Sequence, residues 1–143
     1  MYIDHTPKTA AEWEDIYLEK TGVYFLPEPG FIDYYLPTRG ICQYRANNED
    51  GYLHVCHCCG DVLFWEDLAY LMCIQNKLKG IKTMICRNPK AFARAMKWEI
   101  YRTEPAKDGR FDYYCVNKYG RKATLIFDSV HPESGKDLYM FTE

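Results

Sequence analysis

Several features that would indicate a specialised class of protein are missing from this sequence of 143 residues. No run of Lys or Arg exceeds two residues and the formal net charge is −2, so the basic stripe typical of nucleic-acid binders is not visible. No apolar run approaches the ~18 residues that a membrane-spanning helix needs. The N-terminus lacks the basic and apolar segments of a secretory signal. We therefore expect a cytoplasmic protein that binds neither nucleic acid nor membrane.

The number of cysteines in the chain is odd. The chain has 7 cysteines, unevenly spread, whereas a secreted disulfide framework favours an even count. Reduced thiols, as in the cytoplasm, are the simpler expectation. No repeat, low-complexity tract or linker divides the chain, and its length is typical of one domain. We expect a single domain over residues 1–143.

The first half of the chain predicts a helix followed by a hairpin. Thr9-Ala-Ala-Glu12 has the pattern of a capping box, so a helix is predicted near 10–20, with Gly22 as its stop. Two β-prone runs, Ile41 to Arg45 and Tyr52 to Cys58, flank a turn-forming segment and predict an antiparallel hairpin.

The centre of the chain predicts a strand–helix–strand–helix–strand unit over Tyr52 to Arg102. Asp61 is expected to cap the first of these helices, and Gly80 to terminate it. Asn88 is expected to cap the second, with Pro89 at its first position. The buried face of the first helix is expected to contain Phe64, Leu68, Leu71 and Leu78; that of the second, Phe92, Ala95 and Met96.

Two consecutive crossovers of this kind imply parallel neighbouring strands. Further strands are predicted at Phe111 to Val116, at Ala123 to Phe127 and, as a last edge strand, at Leu138 to Phe141. The predicted fold class is α/β with a mixed sheet, in which a central βαβαβ unit has antiparallel flanking strands.

The densest group of reactive side chains is His54-Val-Cys-His57-Cys58-Cys59-Gly60. Cys56 and Cys59 have the spacing of a zinc knuckle, but a closed structural site needs four ligands and the chain has no second cysteine pair. The fold would have to bring His57 or Cys42 close to complete a site, so no metal ligand is assigned and zinc is not expected. Cys58 or Cys59 at a helix N-terminus could instead have a lowered pKa and act as a nucleophile. A strand that runs through Gly60 into a helix can also hold a phosphate on free backbone amides.

The order of these elements over residues 41–127 resembles that of the GCN5-related N-acetyltransferases, the GNAT superfamily. In that family a loop of the form Gln/Arg-x-x-Gly-x-Gly/Ala holds the pyrophosphate of acetyl-CoA, and His57-Cys-Cys-Gly60-Asp-Val62 occupies that place here. Asn88-Pro-Lys-Ala91 matches the Asn-x-x-Ala start of the family's next helix. In the family, a tyrosine four residues after that alanine acts as the general acid, and Ala95 occupies that position here.

The resemblance implies an N-acyltransferase that moves an acetyl group from acetyl-CoA to a small-molecule or peptide amine. His54 is then the candidate catalytic base, because a neutral imidazole can accept the proton of an amine. The residues implied to bind the cofactor are Val55, His57, Cys58, Cys59, Gly60, Asp61, Val62 and Asn88. The alternatives are a non-catalytic binding or regulatory protein on this fold, with a protein partner, and a small zinc-stabilised interaction domain.

Overall fold

A computed structural model describes residues 6–143, which form three α-helices, one short 3-10 helix and eight β-strands. The α/β class is therefore confirmed. The described residues group into two compact units, one ending at Ile81 and the other spanning Lys82–Glu143, and each is described by itself. The single domain over 1–143 stays a prediction. No helix among the described residues has the length and apolar character to cross a membrane.

The first unit begins with α1 (Ala10–Thr21), and its predicted signals are confirmed. Thr9 Oγ1 accepts a hydrogen bond from the Glu12 amide at 3.2 Å, and Glu12 Oε1 accepts one from the Thr9 amide at 3.0 Å. Gly22 ends the helix in the left-handed conformation with φ of 74°. The helix buries Trp13 and Tyr17, which pack against the strands that follow.

The predicted hairpin is also confirmed. Strands β1 (Ile32–Leu36), β2 (Gly40–Asn47) and β3 (Tyr52–Gly60) pair in that order, and both pairs are antiparallel. The β2–β3 register shifts in mid-strand, because Cys42 pairs with Cys58 but Tyr44 pairs with Val55. Two residues of β3, at positions 56 and 57, thus lie opposite one residue of β2. This is the two-against-one count of a β-bulge, an irregularity that redirects side chains.

Helix α2 (Val62–Asn76) has the predicted cap but not the predicted face. Asp61 Oδ1 accepts from the Phe64 amide at 3.1 Å. The residues that the helix buries are Trp65, Glu66, Ala69 and Cys73. Leu71, assigned to the core from the sequence, is 57% exposed. Trp65 explains the rotation, because its indole N–H donates to the Arg39 carbonyl at 2.9 Å. Its own carbonyl accepts from the Tyr44 hydroxyl at 2.6 Å.

The predicted end of α2 is wrong. Lys77, not Gly80, adopts the left-handed conformation after the helix, with φ of 56°. The Leu78 amide donates to the Cys73 carbonyl at 2.9 Å and closes the last turn. Gly80 instead begins β4 (Gly80–Ile85).

The second unit contains most of β4 and the rest of the chain. Its elements are α3 (Pro89–Ala95), β5 (Glu99–Pro105), a 3-10 turn (Lys107–Gly109), β6 (Phe111–Val116), β7 (Lys122–Val130) and β8 (Asp137–Thr142). The predicted Asn88 cap is confirmed, since its Oδ1 accepts from the Lys90 and Ala91 amides at 3.0 and 3.1 Å. The predicted buried stripe of α3 is confirmed as well.

The strand order of the second unit corrects the predicted crossover. The order is β4-β8-β7-β6-β5, and all four pairs are antiparallel. The prediction of β4 and β5 as parallel neighbours is wrong, because three strands separate them. The prediction of β8 as an edge strand is wrong too. The cause is a meander: short turns join β5 to β8 as successive antiparallel neighbours, and this returns β8 to the side of β4.

Candidate metal site on the bulged strand

His54, the candidate base, lies on β3 and faces a carboxylate. Its Nε2 is 2.6 Å from Asp50 Oδ2, and both side chains are about one-third exposed (27% and 32%). Asp50 lies in the β2–β3 turn, so this pair links the turn to the strand. A catalytic role for His54 stays a prediction.

Gly60 has a structural reason to be glycine. Its φ is +109°, and a Cβ atom there would lie 2.3 Å from the Arg39 carbonyl oxygen and 2.9 Å from the Gly40 Cα. Gly40 and Gly60 are paired across β2 and β3. The missing side chain therefore allows two strands to approach each other closely, a role that needs no ligand.

Two of the backbone amides after Gly60, those of Asp61 and Phe64, are occupied. The Asp61 amide donates to the Arg39 carbonyl at 2.8 Å, and the Phe64 amide donates to the Asp61 carboxylate. Asp61 is buried at 5% exposure, and its other oxygen pairs with the Arg39 guanidinium. A carboxylate thus occupies the position where the pyrophosphate of acetyl-CoA was expected, and its pairing with Arg39 leaves no net positive charge from that pair to attract one. The assignment of the β3–α2 junction at Gly60 to acetyl-CoA binding stays a prediction, and the geometry does not favour it.

The remaining assigned residues are spread over several environments. Val55 pairs with Tyr44 inside the β2–β3 ladder, and Val62 is the first residue of α2. Asn88 belongs to the second unit, where it caps α3.

Cys58 and Cys59 do not have the lowered pKa that a nucleophile needs. A hydrogen bond with Cys42, together with burial, raises the pKa of the Cys58 thiol well above its usual value. Burial raises the pKa of Cys59, which is 6% exposed and packs with Trp13 and Tyr17. The pKa of each thiol is thus raised, by the Cys42 hydrogen bond and burial at Cys58 and by burial at Cys59, rather than lowered as a nucleophile requires.

The structure brings together a different set: Glu28, Cys56 and His57. One ligand atom from each lies within 4.8 Å of the others, and all three residues are partly buried. Cys56 and His57 are consecutive on β3, so a regular strand would direct their side chains to opposite faces. They are the two bulged residues, and the bulge is the local reason that they converge.

A buried amide lies opposite the bulge. Gln43 is 0% exposed, and its Nε2 donates to the Leu26 carbonyl at 2.8 Å. Leu26 is two residues before Glu28, so this bond ties the loop that carries Glu28 to β2. Gln43 Oε1 is buried and has no hydrogen-bond partner among residues 6–143.

His57 is held at both ring nitrogens. Its Nδ1 is 2.7 Å from the Tyr17 hydroxyl on α1, and its Nε2 is 3.3 Å from Glu28 Oε1. The Tyr17 and Phe25 rings contact the imidazole with centroids 5.3 and 5.6 Å away. The ring is therefore oriented with Nε2 directed to the cluster. Histidines that bind a metal usually donate the other ring N–H to a carboxylate, a backbone carbonyl or water. The Tyr17 hydroxyl oxygen lies at that position here.

Cys56 contributes the thiol of this cluster. Burial, then the nearby Glu28 carboxylate, raises the pKa of Cys56. A metal ion must therefore displace its proton. Cys59 is not part of the cluster, so the spacing of Cys56 and Cys59 does not produce a two-thiolate chelate here.

Sequence reasoning missed Glu28 and Tyr17. Glu28 is 29 residues from His57, and Tyr17 is 40 residues from it. No local spacing relates such distant positions. The one available signal is that Glu28 stands between Pro27 and Pro29, where the fixed φ of proline restricts the backbone that carries the carboxylate.

Comparisons with protein families, with curated proteins and with solved structures found no match to this chain. The resemblance to the GNAT superfamily accordingly stays a prediction from element order.

Proposed function

We propose that this chain is a zinc-binding, non-catalytic binding protein whose metal site consists of Glu28, Cys56 and His57. The observation that carries the proposal is the convergence of a carboxylate, a thiol and an oriented imidazole within 4.8 Å. A thiol and an imidazole together favour zinc over the hard cations Mg²⁺ and Ca²⁺, which prefer oxygen ligands alone.

Three protein ligands leave one position of a tetrahedral zinc ion for water or for a donor from a bound molecule. The ion would join the loop that carries Glu28 to the strand that carries Cys56 and His57. Metal binding would thus stabilise the irregular segment 22–31, which has no helix or strand of its own. That link supports a structural role for the metal, because metal binding would be coupled to the folding of this segment.

The same contacts can serve the metal-free and metal-bound states. Without metal, the tautomer with its hydrogen on Nε2 would donate to Glu28 and would accept from the Tyr17 hydroxyl at Nδ1. With metal, Nε2 binds the ion and Nδ1–H donates to the Tyr17 oxygen, since a hydroxyl both donates and accepts. The change requires a shift of tautomer and no movement of Tyr17.

Metal analysis of the purified protein, followed by zinc titration of the stripped protein, tests the proposal. We expect about one equivalent of zinc, and a loss of at least roughly tenfold in affinity for Cys56→Ser and for His57→Gln. Cys86→Ser is the matched control, because Cys86 is an exposed cysteine of the second unit. Less than a tenth of an equivalent, with no titratable binding, would leave Glu28 and His57 as an ion pair only and would refute the proposal.

The acetyl-CoA-dependent N-acyltransferase is the other candidate from the sequence. Its support is the order of elements and the Asn88 start of α3. The Asp61 carboxylate at the proposed pyrophosphate position weighs against it, and we therefore rank it second.

A further inference from the structure

The second unit contains a cavity of about 530 Å³ that the zinc proposal does not use. Three segments form its wall: the β4–α3 connection, the turn before β6 and the start of β8. Its volume lies within the range of small-molecule sites, roughly 300–1,000 Å³.

Two tyrosines provide polar groups to this cavity. Tyr113 is 7% exposed and Tyr139 is 4% exposed, and both line the cavity, with ring centroids 6.4 Å apart. Among residues 6–143, neither hydroxyl has a hydrogen-bond partner. Neither hydroxyl oxygen is among the buried side-chain atoms that lack a partner, so both are accessible to a molecule in the cavity.

The charges around the cavity favour an anion. Arg110 is held by Asp137 through two hydrogen bonds, of 3.2 and 2.9 Å, so this pair is internally neutral. Arg87 and Lys136 also line the cavity, and within the described part of the chain neither forms an ion pair. Asp108, the other acid, is 80% exposed and 4.0 Å from Arg110. With Asp108 counted against Arg87 and Lys136, the residues that line the cavity carry one net positive charge.

We infer that this cavity binds a small organic anion, with its phosphate or carboxylate group between Arg87 and Lys136 and a polar group bonded to the Tyr113 and Tyr139 hydroxyls. Phe111 and Pro89, which also line the cavity, provide apolar surface for the body of the ligand. Phosphate monoesters and carboxylates share this chemistry. All of these residues belong to the second unit, so the inference is independent of the zinc proposal.

Titration of the intact protein by NMR or calorimetry with four probes tests the inference: phenyl phosphate, benzoate, inorganic phosphate and phenol. We expect saturable binding of at least one aromatic anion, weaker binding of inorganic phosphate and none of phenol. Preference for phenyl phosphate or for benzoate identifies the anionic group. Binding of none of the anions at millimolar concentration would overturn the inference.

Variants that preserve the fold locate the site. Tyr139→Phe removes only a hydroxyl and should weaken binding roughly fivefold, the effect of one hydrogen bond. Lys136→Gln should weaken it by at least as much. Tyr114→Phe is the matched control, because its hydroxyl donates to Glu104 at 3.3 Å and it does not line the cavity. Probe binding that none of the cavity variants changes would also overturn the inference.

Discussion

At the scale of single residues, the bulge in β3 has the largest consequence. It brings the side chains of Cys56 and His57 into one cluster with Glu28, whereas a regular strand would direct these two side chains to opposite faces of the sheet. Tyr17 and Gln43 then fix the imidazole and the loop on either side of the cluster.

Tyr17→Phe tests the orienting role of the hydroxyl. The variant keeps the aromatic ring but removes the 2.7 Å contact with His57 Nδ1. We expect zinc affinity to fall roughly 10-fold or more, since removal of such partners typically costs 10–100-fold. Tyr34→Phe on β1 is the control for loss of a tyrosine hydroxyl. Equal zinc affinity in Tyr17→Phe and the parent protein would exclude the role.

Cys115 predicts a dependence of stability on pH. Burial raises its pKa from 9.0 to about 11, so the unfolded chain loses this proton at lower pH than the folded chain does. This contribution to the free energy of unfolding is complete below pH 9 and falls as the pH rises from 9 to about 11. Urea unfolding at pH 8 and pH 10.5 measures it. The Cys115→Ala variant should lose less stability between pH 8 and pH 10.5 than the parent protein does. An identical loss in both proteins would contradict the raised pKa of Cys115.

At the scale of elements, local signals in the sequence predicted most helices and strands, but not which of them are neighbours. The Thr9–Glu12 capping box, the Asn88 cap and the β2–β3 hairpin are local, and all three are confirmed. The buried face of α2 was not predictable, because contacts of Trp65 with Arg39 and Tyr44 set the rotation of the helix. The position of β8 between β4 and β7 likewise depends on pairing at a distance.

The candidate site was even less predictable. His57 lay within the expected group of residues, yet its partners did not, because Glu28 is 29 residues away and a bulge has no clear signature here. For Gly60 the sequence predicted a phosphate site on free backbone amides, but the structure gives a different reason for a glycine at this position. Its positive φ and its approach to Arg39 account for it without a ligand.

The β3–α2 junction provides a test at this scale. Asp61→Ala removes the cap of α2 and leaves Arg39 without its carboxylate. We expect a loss of about 0.5–2 kcal/mol in the free energy of unfolding. Gln75→Ala, at an exposed polar position on the same helix, is the control. Denaturant unfolding of both variants measures the difference, and equal stability of Asp61→Ala and the parent would contradict the cap.

At the scale of the whole molecule, two ligands separate the candidate functions. A ligand that binds the native state raises the melting temperature according to its concentration and affinity. Zinc should raise the melting temperature of the stripped protein, and Cys56→Ser should abolish most of that rise. Acetyl-CoA at millimolar concentration should produce no comparable rise, because Asp61 occupies the expected pyrophosphate position. A clear rise of the melting temperature with acetyl-CoA would favour the N-acyltransferase over the zinc-binding protein.

The most direct measurement is X-ray absorption at the zinc edge of the zinc-loaded protein. Our account predicts one sulfur ligand at about 2.3 Å, from Cys56, with nitrogen and oxygen ligands at about 2.0–2.2 Å, from His57, Glu28 and a fourth donor. The sulfur shell should be absent from any zinc that Cys56→Ser retains. A zinc ion without sulfur in the parent protein, or with two or more sulfurs, would contradict the proposed site.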